Sequence, residues 1–142
     1  MPVISFDIDR LLAERISQVT KDMKVENNMK LSNVSLVPKR DNLLKFEFEF
    51  TTEYKQDVGN LKINGHLLFR EESKKIKEIM DTWTKTKKLD KELMTLITNF
   101  ILIKCNIKAL ELSQQVNLPP HIRLPLVELS SPTKGDKGDY IG

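Results

Sequence analysis

A chain of 142 residues, 39 % hydrophobic and 30 % charged, can bury one core but is short for two. Five glycines and six prolines exclude collagen-like and low-complexity sequences. Lysine and arginine exceed aspartate and glutamate by 23 to 20, and a net charge of +3 is too mild to announce a nucleic-acid binder.

The N-terminal arm, residues 1–22, carries two conflicting periods. Ile4, Phe6 and Ile8 alternate as in a strand, whereas Ile8, Leu11, Leu12, Arg15 and Ile16 recur as in a helix; the good helix formers between Leu11 and Arg15 favour a short helix capped by Ser5 or Asp9. From Val25 the period is two. Val25, Met29 and Leu31 share one parity and Val34 and Leu36 the other, so a strand here needs a bulge near Ser32 and Asn33 to keep its apolar residues on one face, and Pro38 ends it. Leu44, Phe46, Phe48 and Phe50 then alternate with Lys45, Glu47, Glu49 and Thr51, the pattern of an antiparallel strand with one dry and one wet face. A turn at Asp57, Gly59 and Asn60 leads to Leu61, Ile63, Leu67 and Phe69 on another strand, with Gly65 leaving a notch on its inward face that marks a bulge or receives a large side chain.

After Arg70 the period lengthens. Ser73 can cap a helix in which Ile76, Ile79, Met80 and Trp83 share a face, and Asp90 can cap a second helix running to about Val116. That second helix is apolar on several sides and must be covered on both: one side on the sheet, the other, with Ile101, Cys105 and Leu112, against a second copy of the chain. Leu118 to Val127 holds Pro119, Pro120 and Pro125 and is expected to run extended; residues 130–142 have little to bury and are expected to be a disordered tail. The fold class is therefore α+β: an antiparallel sheet of three to four strands, a short crossover helix and a long apolar helix, in one domain over residues 1–129.

Little catalytic chemistry is present. His66, His121 and Cys105 are the only soft metal ligands and none is spaced with another, so no metal or other cofactor is expected; Cys105 among isoleucines reads as an inert buried thiol. Glu47 and Glu49 share a strand face, but Lys45 beside them marks a solvated face and not an acid–base pair. Seven lysines between Lys74 and Lys91 could touch phosphates and offer an alternative, a nucleic-acid or ribonucleoprotein accessory factor, opposed by the lack of arginine and of a second stacking aromatic besides Trp83. The lone cysteine and the charges scattered from Asp7 to Arg15, where a secretory signal needs an unbroken apolar run, point to the cytoplasm. The most apolar stretch, Leu93 to Ile103, is interrupted by Thr95, Thr98 and Asn99, which argues against membrane insertion.

The order of these elements, the FEFEF strand leading to KINGHLLF and the NLPPHIRLPLVEL segment after the long helix resemble the SecB-like family over residues 25–129. The resemblance implies a non-enzymatic, homo-oligomeric holdase, a dimer or a tetramer, that binds unfolded or partly folded polypeptides without ATP. Its peptide-binding groove is then expected from Ile76, Ile79, Met80 and Trp83, with Leu118 and Ile122 nearby, although such a helix face is more often core. Family members in protein export are acidic and carry a Cys- and His-containing tail. This chain is basic and its SSPTKGDKGDYIG tail has neither residue, which weakens a link to protein transport; relatives with this fold also act in toxin–antitoxin control.

Overall fold

A computed structural model describes residues 3–126, so the expectation for the tail 130–142 lies outside the described residues. The chain folds as β1 (Val3–Arg15), β2 (Val25–Val37), β3 (Arg40–Tyr54), β4 (Gly59–Arg70), α1 (Ser73–Thr86) and α2 (Lys91–Gln115). The four strands form one antiparallel sheet in the order β1-β4-β3-β2, with α1 over β2 and β3 and α2 over β4.

The alternation in β3 places Leu44, Phe46, Phe48, Phe50, Thr52 and Tyr54 on the helix-facing side, each at most 1 % exposed, opposite Leu61, Ile63, Leu67 and Phe69 of β4. Each buried phenylalanine contributes about 2–3 kcal/mol through removal of its ring from water. In β2 the pairing shifts between Leu31 and Asn33, so Met29, Leu31 and Val34 all reach the core side, as the change of parity requires.

The arm is the main departure. Val3–Arg15 is a strand and not a short helix, paired to the edge of β4 from Val3↔Phe69 to Arg15↔Gly59. Its register slips between Ile8 and Arg10, which leaves Asp9 unpaired and turns the apolar spacing from two to three. Ile8 and Leu11 thereby share a face without helical geometry, and the bulge mimics an i, i+3 signal. Phe6 stacks on Phe48 at 5.2 Å and meets Phe100 of α2 at 5.9 Å, contacts an isolated helix would forgo.

Helix α1 begins after Glu72 with no side-chain cap, so Ser73 does not cap it; the chain leaves through Lys87 in the left-handed region, whose N–H bonds to the Trp83 carbonyl. Asp90 does cap α2, its carboxylate accepting the Leu93 N–H at 3.4 Å. At the far end Asn117 adopts φ 59° while the N–H groups of Asn117 and Leu118 bond to the carbonyls of Gln114 and Ser113. This double closure stops the helix, drops Leu118 into the core and lets Pro119 and Pro120 carry the chain away. The described part of the segment after it is neither helix nor strand and bends at His121 and Ile122, tied by Tyr54 Oη donating to the Pro119 carbonyl at 2.5 Å and Asn27 Nδ2 donating to the His121 carbonyl at 3.0 Å.

Candidate functional site

A cleft opens where the end of β4, α1 and the first turns of α2 meet. On α1 it is lined by Lys75, Glu78, Ile79 and Thr82, an i, i+3, i+4, i+7 set adjoining the face that sends Ile76 and Trp83 into the core. On the other wall Leu89, Glu92, Leu93 and Leu96 repeat the same spacing from the inter-helix loop into α2, with Asp90 among them, and Phe69 and Glu71 close the end. The cavity is about 520 Å³, within the range that accepts a few side chains of a peptide or a small ligand.

The apolar residues of this cleft, Phe69, Ile79, Leu89, Leu93 and Leu96, are buried or half-buried, whereas Lys75, Glu78, Asp90 and Glu92 are exposed. Four carboxylates, counting Glu71, oppose a single ammonium. The local charge is thus opposite in sign to that of the chain as a whole. The lining contains no histidine, cysteine or serine; beside its carboxylates and apolar side chains it holds Lys75 and Thr82.

Only Ile79 among the expected groove residues lines this cleft. Ile76 and Trp83 are core, Met80 packs half-buried against it, and Leu118 is buried beside Gly59 at the start of β4. Gly59 and Phe69 stand at opposite ends of a strand that rises about 3.3 Å per residue, so the two halves of the expected groove do not meet. Ile122 is 37 % exposed next to the strap residue His121. Of the residues expected at an oligomer interface, Ile101 and Cys105 are 0 % exposed and Leu112 6 %, all within the core of their own chain. What α2 exposes instead is Met94, Ile103 and Ile107. By length and composition α2 passes the threshold for a membrane span despite Thr95, Thr98 and Asn99, as a core helix also can, and here one of its faces packs into the core.

The remaining polar groups are structural. Partial burial raises the Glu49 carboxyl, but the Asn64 amide at 3.5 Å, Lys62 at 3.4 Å and Lys30 at 3.5 Å outweigh it and hold the group below the ordinary carboxylate range. Glu47 accepts from Asn33 at 3.3 Å. The two glutamates therefore serve cross-strand pairs on the wet face. His66 is the β4 partner of Glu47 on the same face, between Asp9 at 2.8 Å and Asp7 at 3.5 Å. Among the described residues no group of three His, Cys, Asp or Glu side chains is placed to hold a metal ion. Burial pushes the Cys105 thiol up to about 12. The lysines from Lys74 to Lys91 are all exposed, but Trp83 is buried, with Lys87 5.7 Å from its ring centre, so no free aromatic accompanies them.

No protein-family model and no curated protein sequence matches the chain. Among solved structures it is similar to the Mycobacterium tuberculosis SecB-like chaperone Rv1957 in complex with a ChAD peptide from the HigA1 antitoxin, at 13 % identity and a TM-score of 0.54, covering 89 % of this chain and 86 % of that one. The fold is SecB-like. The likeness covers more of the chain than residues 25–129, and the α+β order of an antiparallel sheet followed by a short and a long helix is the one expected from the sequence.

Proposed function

We propose that this protein is a non-catalytic, SecB-like polypeptide-binding module that holds apolar segments of unfolded or partly folded proteins in the cleft between α1 and α2. The observation that carries the reading is the cleft itself, an apolar floor under an acidic rim on a fold whose similar structure was solved with a peptide. A side-chain pair such as leucine and phenylalanine fits the cavity, and a lysine or arginine beside them faces Glu78, Asp90 and Glu92. The client is therefore an apolar segment flanked by basic residues. The protein acts in the cytoplasm and as a homo-oligomer.

Titration calorimetry with two peptides that share an apolar centre and differ in lysine or glutamate flanks tests the reading. The lysine peptide binds about tenfold or more tightly, the gap narrows in high salt, and Leu93→Asp removes binding of both. In parallel, light scattering by an aggregating test protein falls when this chain is added. Equal affinity for the two peptides, or no binding together with no effect on aggregation, overturns the proposal.

A further inference from the structure

The strap from Leu118 to Leu126 is fastened at one end only. Leu118 is 5 % exposed and its N–H bonds to the Ser113 carbonyl at 2.8 Å, whereas Pro119 and Pro120 after it have no N–H to hold them. Among the described residues, three hydrogen bonds hold the rest, each through a side chain: Tyr54 to the Pro119 carbonyl, Asn27 to the His121 carbonyl, and the His121 ring to Asn106 of α2, at 2.8 Å through Nε2. His121 is 4 % exposed, its ring perpendicular to that of Phe50 with 6.0 Å between centres. Beyond it the chain runs out to exposed Leu124 and Leu126. One buried imidazole thus pins the strap to the helix, and Phe50 and Tyr54, which the strap touches on β3, are at most 1 % exposed.

The ring is bonded for one protonation state. Facing the Asn106 carbonyl oxygen, Nε2 carries its single proton, and Nδ1 is buried with no hydrogen-bond partner among the described residues. A second proton has to go to Nδ1, which puts an N–H and a full positive charge where no acceptor and no counter-charge wait. On α2 the residues three and four places from Asn106, namely Leu102, Ile103, Ala109 and Leu110, carry no charge. From β2 comes only the Asn27 amide, and from β3 Phe50 and Tyr54, a phenol that burial pushes up to about 12 and so keeps neutral. Arg123 on the strap itself is exposed and of the same sign as the charged ring. Burial accordingly holds the docked imidazole below its ordinary 6.5, while a ring released into water takes the proton freely. Proton uptake therefore favours the freed strap over the docked one.

We propose that residues 119–126 form a proton-released strap: charging His121 frees them from α2 and β3 while Leu118 and the sheet stay folded, and so uncovers Phe50 and Tyr54. This adds a regulation to the proposed holding of apolar segments and rests on that reading only for its use, since acid then enlarges the apolar surface on offer.

Proton NMR of the full chain follows the His121 ring from about pH 8 to about pH 5, with His66→Gln marking which of the two histidines is which. An apolar dye and circular dichroism are read on the same samples. Dye fluorescence rises as pH falls while the circular dichroism stays native, each unit below 6.5 weakening closure up to about tenfold until the docked value is reached. His121→Gln, with no proton to take up, abolishes the rise. Asn106→Asp sets a carboxylate against the charged ring and keeps the strap shut in acid although His121 still titrates. A rise that persists in His121→Gln, one that coincides with loss of circular dichroism, or none in wild type overturns the strap. In light scattering, wild type suppresses aggregation more strongly at about pH 5 than at about pH 8 and Asn106→Asp does not; equal suppression refutes the use of the strap in holding. Failure of the lysine-flanked peptide to bind at about pH 8, where the strap is docked, refutes the cleft and leaves the strap standing.

Discussion

Gly65 sits where β1, β4 and the aromatic core converge, and Gly65→Ala is the sharpest test of that packing. A methyl group there collides with the Asp7 carbonyl oxygen and meets Phe48 Cζ at 2.8 Å and Ile8 Cα at 3.2 Å. Phe48 has little room to turn, because its ring is stacked on Phe6. The Asp7 carbonyl belongs to the backbone of β1 where the strand pairs Asp7↔His66 and Ile8↔Gly65, so relief comes by prising β1 from β4. Overpacking costs about 1–3 kcal/mol. Each ladder bond lost beside it adds about 1 kcal/mol, for a total of about 3 kcal/mol, or about 10 °C in melting temperature for a domain of this size. Thermal denaturation reads the total, and amide hydrogen exchange locates it: protection falls along β1 and is kept in β2 and β3. A variant that melts with wild type, or loses protection first in β2, refutes the argument that the missing side chain makes room for the β1 backbone.

Three further outcomes follow from buried groups. Burial holds the His121 imidazole below its ordinary 6.5, so on acidification the unfolded chain takes up a proton before the folded one; stability is intact above about 6.5 and is lost as pH falls through the folded value, and His121→Gln flattens that dependence in melting curves. Burial pushes the Tyr54 phenol up from 10.0 to about 12, so its contribution is complete below 10 and lost between there and about 12; Tyr54→Phe removes the bond to the Pro119 carbonyl, costs about 1–2 kcal/mol in denaturant titration and abolishes that alkaline loss. Cys105, 0 % exposed with its thiol raised to about 12, stays unreactive to a thiol-exchange reagent in the folded chain and reacts fully in denaturant; rapid labelling of the native protein contradicts its placement.

The strands with long unbroken alternation were readable from the sequence because period two has no competing explanation there: β3 is one such run, and in β2 apolar residues on both sides of Ser32 forced the bulge. In β1 the bulge at Asp9 leaves only three alternating residues before it, and the resulting Ile8–Leu11 step imitates a helix. The candidate site was harder for a different reason. Ile76, Ile79, Met80 and Trp83 form the most apolar stripe of α1, and a stripe that apolar is taken by the core; what remains to line an open cleft is the adjoining face, Lys75, Glu78, Ile79 and Thr82. In a sequence such a face reads as solvated. Its partner wall from Leu89 to Leu96 becomes visible only once the loop has folded the two helices together.

Helix α2 makes the same point more strongly. Periodicity identifies a buried face by contrast with a polar one, and here the Ile97, Ile101, Cys105, Ala109 and Leu112 stripe and the Phe100, Ile103, Ile107 and Leu110 stripe are comparably apolar. Composition therefore cannot say which of the two stripes meets the sheet. The sheet makes the choice by residue size. Its helix-facing surface is crowded by Phe46, Phe48, Phe50 and Phe69, and the stripe with Cys105 and Ala109 lets the helix axis approach it closely, whereas bulky Ile103 and Ile107 would hold it off. The charges corroborate this: Lys104 and Glu111 flank the second stripe, where burial against an aromatic sheet would have stranded them.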